Sequence, residues 1–346
     1  MSDAVLFEQR GGLGLITLNR PEVLNAISHA MVGQIDRQLA DWAADAGIRA
    51  VLIRGAGGKA FAAGGDIRRL YDAMGDPADD YPVHFFRDEY RLNRRIKTYP
   101  KPYIAVYNGI VMGGGVGVSV HGAHRIATDA TLFAMPETGI GFFPDVGGAY
   151  FLPRLKAGLG RYLALTGGRL DGGDCVAEGL AESYMPVARL DDLIATLASA
   201  EDIPAAIAHV AEPAPAGRLK PDRSAVAVLF EQATLNDVLA ALQVAGTDFA
   251  EKQLKAIRSK CPLSVAVAWE QLRRGAALDF DACLKLEYRI ALQASAGTEF
   301  REGVRALIVD KDNKPAWADA SIEAVSEAAV QAHFQPPATG DLTFTT

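Results

Sequence analysis

Of the 346 residues, 49% are hydrophobic and 22% are charged, fractions that are typical of a globular protein and exclude a disordered or collagen-like chain. The formal charge of −7 at pH 7 provides no overall attraction to nucleic acid or to an anionic membrane surface. The three cysteines are widely spaced without a CxxC pair, which argues against a zinc site and is typical of a reducing compartment.

The first half of the chain is predicted to alternate strands and helices. A turn at residues 10–12 makes the first two strands a hairpin, and Ser28 is a candidate N-cap for the first helix. This order favours an α/β domain with parallel strands. The predicted elements are strands over 5–7 and 13–18, a helix over 27–42, a strand over 50–53, a helix over 81–98, and strands over 103–107 and 125–128.

Residues 103–120 carry no charge and are long enough to span a membrane. Five glycines and Asn108 interrupt this stretch, so we predict a buried strand, a glycine turn and a buried helix instead. The N-terminal residues show neither the pattern of a signal peptide nor that of an Arg-rich leader. A cytoplasmic protein that does not bind membranes is therefore expected.

After about residue 185 the strand patterns stop, and the apolar residues recur at helical spacing. The proline-rich segment 212–217 cannot be helical and is the predicted boundary between the two halves. We accordingly predict a core domain over 1–211, a helical C-terminal region over 218–334 and a flexible tail over 335–346.

Two glycine-rich turns are candidates for ligand binding, because each follows a strand-like run. They are residues 61–67 (FAAGGDI) and 112–117 (MGGGVG). Glycines at such places either permit close packing or leave main-chain amides free for a ligand oxygen. Together the two turns could supply two donors to one developing oxyanion. The alternative for the first turn is a tight turn in which Asp66 caps the following helix.

A third segment, residues 135–148 (MPETGIGFFPDVGG), carries two acids among apolar residues. Its prolines and glycines exclude a regular helix, so Glu137 and Asp145 are predicted to lie on a rigid loop. Burial among apolar side chains raises carboxyl pKa values, as acid or base catalysis requires. The alternatives are an exposed loop acid for Glu137 and a helix N-cap for Asp145.

Other catalytic patterns are missing from the sequence. It contains no GxSxG nucleophile elbow, no P-loop and no GxGxxG after a strand, which argues against a serine hydrolase, an NTPase and a dinucleotide-binding enzyme. His121 and His124 lack the further ligands that a metal site needs. No metal is therefore expected.

In this order and spacing the three segments resemble the crotonase (enoyl-CoA hydratase/isomerase) superfamily, whose pattern is an FxAGxD turn, a GGG turn and a PExGxxP loop. Two further segments, Glu287-Tyr288-Arg289 and residues 302–312, are similar to signatures of its branch that hydrolyses short 3-hydroxyacyl-CoA thioesters. The resemblance covers the chain from Leu6 to about Trp317. It implies a spiral of ββα turns with a helical C-terminal region.

The resemblance also implies roles for individual residues. The amides of Gly65 and Gly114 resemble the oxyanion hole for the thioester carbonyl, and Gly114 also belongs to the substrate-binding residues. Glu137 is similar to the family's catalytic glutamate, Asp145 to its acidic partner, and Glu89 to a residue that contacts the acyl group. Hydratases of the family carry a second glutamate where this chain has Gly117.

The function implied by the resemblance is hydrolysis of a short 3-hydroxyacyl-CoA. CoA is then part of the substrate, and no separate cofactor is expected. Family members usually assemble as trimers or hexamers, so a homo-oligomer is a candidate state. The nearer alternative is an enoyl-CoA hydratase or isomerase. Gly117 argues against hydration but does not exclude isomerisation. The remoter alternative is a CoA-binding protein without catalysis, in which the acids are structural.

Overall fold

The computed structural model describes residues 3–76 and 78–344. The strands in this part of the chain are β1 (Val5–Arg10), β2 (Leu13–Leu18), β3 (Ala50–Gly55), β4 (Ala60–Ala63), β5 (Tyr103–Tyr107), β6 (Ile110–Met112), β7 (His124–Thr128), β8 (Leu132–Ala134), β9 (Leu170–Asp171) and β10 (Ser183–Met185). The α-helices are α1 (His29–Ala44), α2 (Ile67–Ala73), α3 (Tyr81–Lys97), α4 (Gly114–Gly117), α5 (Gly148–Phe151), α6 (Leu159–Thr166), α7 (Gly172–Ala177), α8 (Leu190–Ser199), α9 (Ile203–Val210), α10 (Arg223–Phe230), α11 (Leu235–Ala245), α12 (Asp248–Arg258), α13 (Pro262–Gly275), α14 (Phe280–Ala296), α15 (Glu299–Val304) and α16 (Glu327–Ala332).

Successive strands divide between two sheets. The six-stranded sheet has the order β1-β2-β3-β5-β7-β10, and the four-stranded sheet has the order β4-β6-β8-β9. In each of the pairs β3–β4, β5–β6 and β7–β8, the first strand joins the larger sheet and the second joins the smaller one. Helices α2 and α4 follow the first two of these pairs. This repeat confirms the predicted spiral of ββα turns.

The described residues form two compact units. The first unit contains the residues up to Asp66, Arg91–Ala134 and Arg169–Lys220, and it holds all the strands given above. The second contains Ile67–Tyr90, Met135–Gly168 and the residues from Pro221, and it is helical. Because these units alternate along the chain, they do not test the predicted division into 1–211, 218–334 and 335–346, which stays a prediction. Residues 345 and 346 of the predicted tail lie outside the described residues.

The core of the first unit lies on one face of the six-stranded sheet. Helices α8 and α9 cover this face with apolar residues at helical spacing. The strands beneath carry fully or almost fully buried aliphatic side chains. Burial of each such side chain stabilises the folded protein by about 1.5–3 kcal/mol. Members of this core include Leu13, Leu15, Leu52, Ile104, Val106, Ile126, Leu193, Ile194, Leu197 and Ile207.

Locally determined features follow the sequence predictions. The predicted hairpin is the antiparallel pair β1–β2, and the Ser28 hydroxyl caps α1 by accepting the Met31 N–H at 3.3 Å. The uncharged stretch 103–120 forms β5, β6 and α4. No strand follows Met185 in the described part of the chain, as predicted for a helical C-terminal half.

The three cysteines are buried and free. They are Cys175, Cys261 and Cys283, and no disulfide joins them. Burial raises the pKa of all three thiols, to about 12 for Cys261 and Cys283. They are therefore core residues in the thiol form at neutral pH.

Replacing Gly115 with alanine is expected to lower the free energy of unfolding by about 1–3 kcal/mol. The added Cβ would lie 2.3 Å from the carbonyl oxygen of Ala62, so α4 or β4 would have to move. Urea denaturation measures the change.

The matched control is Gly33→Ala in the interior of α1, where the nearest atom is the flexible Arg37 guanidinium at 3.3 Å. Alanine there should stabilise the helix by about 0.5–1 kcal/mol. A Gly115→Ala protein as stable as the wild type would contradict the close packing of α4 on β4.

Candidate active site

Two of the predicted site residues follow neighbouring strands in the first unit. Strands β4 and β6 run parallel, with Ala63 opposite Met112. Gly65 and Gly114 each come two residues after this pair, so the structure places both at the same end of the four-stranded sheet. This is the end of a parallel sheet at which ligands usually bind.

The main-chain N–H groups of Gly65 and Gly114 donate to no acceptor in the part of the chain that the structure describes. The residues on either side of Gly65 are paired instead: the Gly64 carbonyl accepts the Ile27 N–H at 2.9 Å, and the Asp66 N–H donates to the Ile27 carbonyl at 2.8 Å. Gly114 is the first residue of α4, where an N–H has no acceptor within the helix. Both amides are therefore available to a ligand oxygen.

Glycine is required immediately before each of these amides. Gly64 has φ +123° and Gly113 has φ +49°, values that residues with a Cβ rarely adopt. The Asp66 carboxylate beside the first turn accepts a hydrogen bond from the Arg20 guanidinium at 3.1 Å. The glycines thus set the direction of the amides.

Glu137 lies in the second unit, at the start of the 3-10 helix Glu137–Ile140, and is 6% exposed. Its carbonyl accepts the Phe142 N–H at 3.1 Å, which closes the turn. The ring of Phe142 stacks on Phe86 at 5.6 Å and packs against Phe300 at 4.4 Å. The segment is the apolar, proline- and glycine-bounded loop that the sequence predicts.

Asp145 is 5% exposed and accepts a hydrogen bond from the Tyr90 hydroxyl at 2.9 Å. The N-cap of α5 is Gly147, without a side-chain cap, so the alternative reading of Asp145 as an N-cap is wrong. The next residue, Val146, has φ +51°, a left-handed conformation that costs about 1–3 kcal/mol for a β-branched residue. The backbone beside Asp145 is therefore strained.

Two further buried acids of the same unit are affected by the charge on Asp145. Glu89 precedes Tyr90 on α3, is 2% exposed, and its Oε1 accepts no hydrogen bond from the residues described here. Glu287 on α14 is fully buried, and its two oxygens accept the N–H groups of Gly147 and Ala149 at 2.7 Å each. The charge on Asp145 thus disfavours ionisation of both glutamates, and the phenol of Tyr90 donates a hydrogen bond to this carboxylate.

Burial dominates the electrostatics of this group. It raises the pKa of Asp145 to about 7, opposed by the hydrogen bond from Tyr90. It raises the pKa of Glu287 to about 8, opposed by the two amides that bind it. The pKa of Glu89 lies well above its usual value because of burial and the charge on Asp145. Acids with such pKa values can give and take protons near neutral pH.

The described residues offer little for a metal or a membrane. Among them no cluster of three or more His, Cys, Asp or Glu side chains is arranged to bind a metal ion. The same residues include no helix that is both long and apolar enough to cross a bilayer.

The chain is similar to a known enzyme family over most of its length. A model of the enoyl-CoA hydratase/isomerase family matches residues 13–334. The chain belongs to that family. Members of it are similar over nearly the full length: "3-hydroxyisobutyryl-CoA hydrolase, mitochondrial" of Homo sapiens is 42% identical over 99% of this chain and 91% of its own length, and the Gallus gallus protein of the same name is 42% identical over 98% and 90%.

Solved structures of the family share the fold. A carnitinyl-CoA dehydratase from Mycobacterium thermoresistibile superimposes with a TM-score of 0.94 at 39% identity, over 99% of both chains. An enoyl-CoA hydratase from Rhodobacter sphaeroides gives a TM-score of 0.92 at 38% identity, over 99% of this chain and all of the other. The likeness includes the helical C-terminal half.

Tyr90 and Glu287 are site residues for which the sequence predicts no role. Tyr90 is adjacent to Glu89 but otherwise gives no local signal. Glu287 could have been found from periodicity, because it is the one acid on the buried face of α14. The buried residues of α14 are Phe280, Cys283, Leu284, Leu286, Glu287, Tyr288, Ile290 and Ala291.

Replacing Asp145 with asparagine is expected to raise the free energy of unfolding at pH 8 by roughly 1–4 kcal/mol, and by less at pH 5. The carboxyl pKa is about 7 in the folded chain and about 3.9 in the unfolded chain. Between these values the unfolded chain has already released its proton, so this group lowers stability as pH rises and reaches its full cost above pH 7. Urea denaturation at both pH values measures the difference.

Asp341→Asn is the control of opposite sign. Its ion pair with Arg289 holds the pKa of Asp341 below the usual value, so this group stabilises the folded chain at pH 8 and the contribution fades as pH falls through that pKa. A loss of stability in Asp145→Asn at pH 8 would contradict a buried acid with a raised pKa.

Proposed function

We propose that the chain hydrolyses the thioester of a short 3-hydroxyacyl-CoA, with 3-hydroxyisobutyryl-CoA as the substrate and 3-hydroxyisobutyrate and CoA as products, a reaction of valine catabolism. The observation that carries this proposal is the 42% identity, over nearly the whole chain, to proteins named 3-hydroxyisobutyryl-CoA hydrolase. The geometry supports it because the amides of Gly65 and Gly114 have no acceptor among the described residues and because Glu137 and Asp145 are buried acids.

The amides of Gly65 and Gly114 are proposed to bind the thioester carbonyl oxygen. As a nucleophile adds to the carbonyl carbon, negative charge grows on this oxygen, and fixed donors then stabilise the transition state more than the ground state. Removing one donor of this kind typically costs about 2.7–4 kcal/mol in activation free energy. Both amides lack a competing acceptor in the described structure, which supports this role.

Glu137 and Asp145 are proposed to carry out the bond-making and proton-transfer steps. Glu137 is either the nucleophile, which gives a mixed anhydride with the acyl group, or the base that takes a proton from water. Asp145 positions the water or the 3-hydroxyl and exchanges the proton that the leaving CoA thiolate requires. Its pKa of about 7 suits this exchange at neutral pH.

Glu89 is proposed to select the 3-hydroxyl group of the acyl chain. Its buried Oε1 has no hydrogen-bond donor among the described residues, and an unpaired buried acceptor is costly. A substrate hydroxyl that donates to it would remove this cost, which an unsubstituted acyl chain could not do.

The same proposal includes expectations for the cofactor, the assembly and the location of the protein. CoA is part of the substrate, so the reaction needs no separate cofactor and no metal. A homo-oligomer is the proposed assembly. The expected cytoplasmic location stays a prediction of the sequence, and the names of the relatives place those proteins in mitochondria.

A hydratase or dehydratase is the second candidate function. It is favoured by the sequence identities of 39% and 38% to structures described as a carnitinyl-CoA dehydratase and an enoyl-CoA hydratase. Against hydration stands Gly117 on α4, where the hydratases that the sequence resembles carry a second glutamate. Without that carboxylate only Glu137 remains of the pair that activates water.

Glu137→Gln is expected to lower kcat at least about a hundredfold while CoA binding and stability stay near wild type. An amide of the same shape can neither attack the carbonyl nor take a proton. Steady-state thiol release measures kcat, and Glu270→Gln is the matched control, because Glu270 pairs with Arg273 and Arg274 on α13. Near-normal turnover by Glu137→Gln would refute the assignment.

The substrate profile separates the two candidate functions. We expect thiol release from 3-hydroxyisobutyryl-CoA or 3-hydroxypropionyl-CoA and little release from isobutyryl-CoA. Hydration of crotonyl-CoA should be at least ~10²-fold slower than in a hydratase that carries both glutamates, because one acid/base group typically contributes that much. The last expectation follows from Gly117. If crotonyl-CoA is hydrated faster than any 3-hydroxyacyl-CoA is cleaved, the hydrolase proposal is wrong and the hydratase takes its place.

A further inference from the structure

Glu287 is a buried acid for which the reaction proposed above has no use. It lies on α14 with a fully buried side chain, and it is the first residue of the Glu287-Tyr288-Arg289 motif. Both of its carboxylate oxygens are occupied by main-chain donors: Oε2 accepts the Gly147 N–H and Oε1 accepts the Ala149 N–H, each at 2.7 Å. The two residues that it binds are 140 and 138 positions away in sequence.

These two amides belong to the turn that directly follows Asp145. Val146 and Gly147 have φ values of +51° and +91°, so two consecutive residues are in the left-handed region. A β-branched residue rarely adopts this conformation, and it persists only where the surrounding structure enforces it. Glu287 accepts the N–H of Gly147, which is the second left-handed residue, and the N–H of Ala149.

We propose that Glu287 is a positioning residue that holds the turn 145–149 in the conformation in which Asp145 meets the Tyr90 hydroxyl. The inference rests on the proposed function, because it takes Asp145 as a residue of the reaction. A second contact supports it: the Gln271 side-chain amide donates to the Pro144 carbonyl at 2.6 Å, on the other side of Asp145. Asp145 is thus fixed from both sides along the chain.

The contact requires a carboxyl group of this length. Two main-chain N–H groups point at one side chain, and a carboxyl group offers an oxygen with lone pairs to each, whether it is ionised or protonated. Glutamine has the same shape but presents an NH₂ group to one of these donors, so one hydrogen bond is lost and two donors face each other. Aspartate keeps both oxygens but is one methylene shorter, so it cannot reach both amides from the same backbone position.

The first test is kinetic. Both Glu287→Gln and Glu287→Asp should lower kcat for 3-hydroxyisobutyryl-CoA about 10–100-fold, with KM within about twofold, because misplacing a reacting group by about 1 Å has effects of this size. Asp174→Asn is the matched control: Asp174 in the first unit is also buried and accepts the N–H groups of Leu219 and Asp171, at 2.9 and 3.3 Å. It should lose stability but keep kcat.

The second test needs no substrate and therefore separates this inference from the proposed function. Hydrogen exchange of the amides of Gly147 and Ala149 should become about tenfold faster or more in Glu287→Gln and Glu287→Asp, and stay unchanged in Asp174→Asn. Wild-type exchange and kcat in both Glu287 variants would overturn the inference, as would an equal loss of kcat in Asp174→Asn. Absence of thioester hydrolysis by the wild-type protein would refute the proposed function, while the exchange rates would still decide the role of Glu287.

Discussion

The second unit depends on the burial of three carboxyl groups beside very few hydrogen-bond donors. Moving an ionised carboxylate out of water is so costly that the group either finds donors or keeps its proton. Asp145 has one phenol, Glu287 has two main-chain amides, and Glu89 Oε1 has no donor among the described residues. Burial outweighs these few donors: it raises the pKa of Asp145 to about 7 and that of Glu287 to about 8, and the pKa of Glu89 lies well above its usual value.

The first unit supplies its proposed chemistry without any side chain. The second strand of each ββ pair lies in the four-stranded sheet. Strands β4 and β6 are parallel and end at the same edge of this sheet, so the residues that follow them occupy the same position in the repeat. Glycines there free main-chain amides whose direction follows from the strands and not from a rotamer. Donors held by a sheet need no reorganisation when charge develops on a substrate, which is the condition under which hydrogen bonds contribute most to catalysis.

The sequence predicted those features whose cause is local. The hairpin before Leu13, the Ser28 cap and the glycine turns follow from residues within a few positions of each other, and the motif order identified the family. The hydrogen bond from Tyr90 to Asp145 did not follow, because the two residues are 55 positions apart and the residues around Asp145 were equally typical of a helix cap. Glu287 binds a turn 140 residues away, and no pattern near either site records that contact. The division of alternate strands between two sheets likewise has no local signal.

The burial of the three cysteines has a redox consequence for an enzyme with the proposed activity. Each turnover would release CoA as a free thiol, so the protein would work beside CoA and its disulfides. Mixed-disulfide exchange requires an accessible thiolate, and the raised pKa values keep Cys175, Cys261 and Cys283 as inaccessible thiols. The chain can therefore tolerate its own product, and sulfenic acid formation at these positions is disfavoured for the same reason.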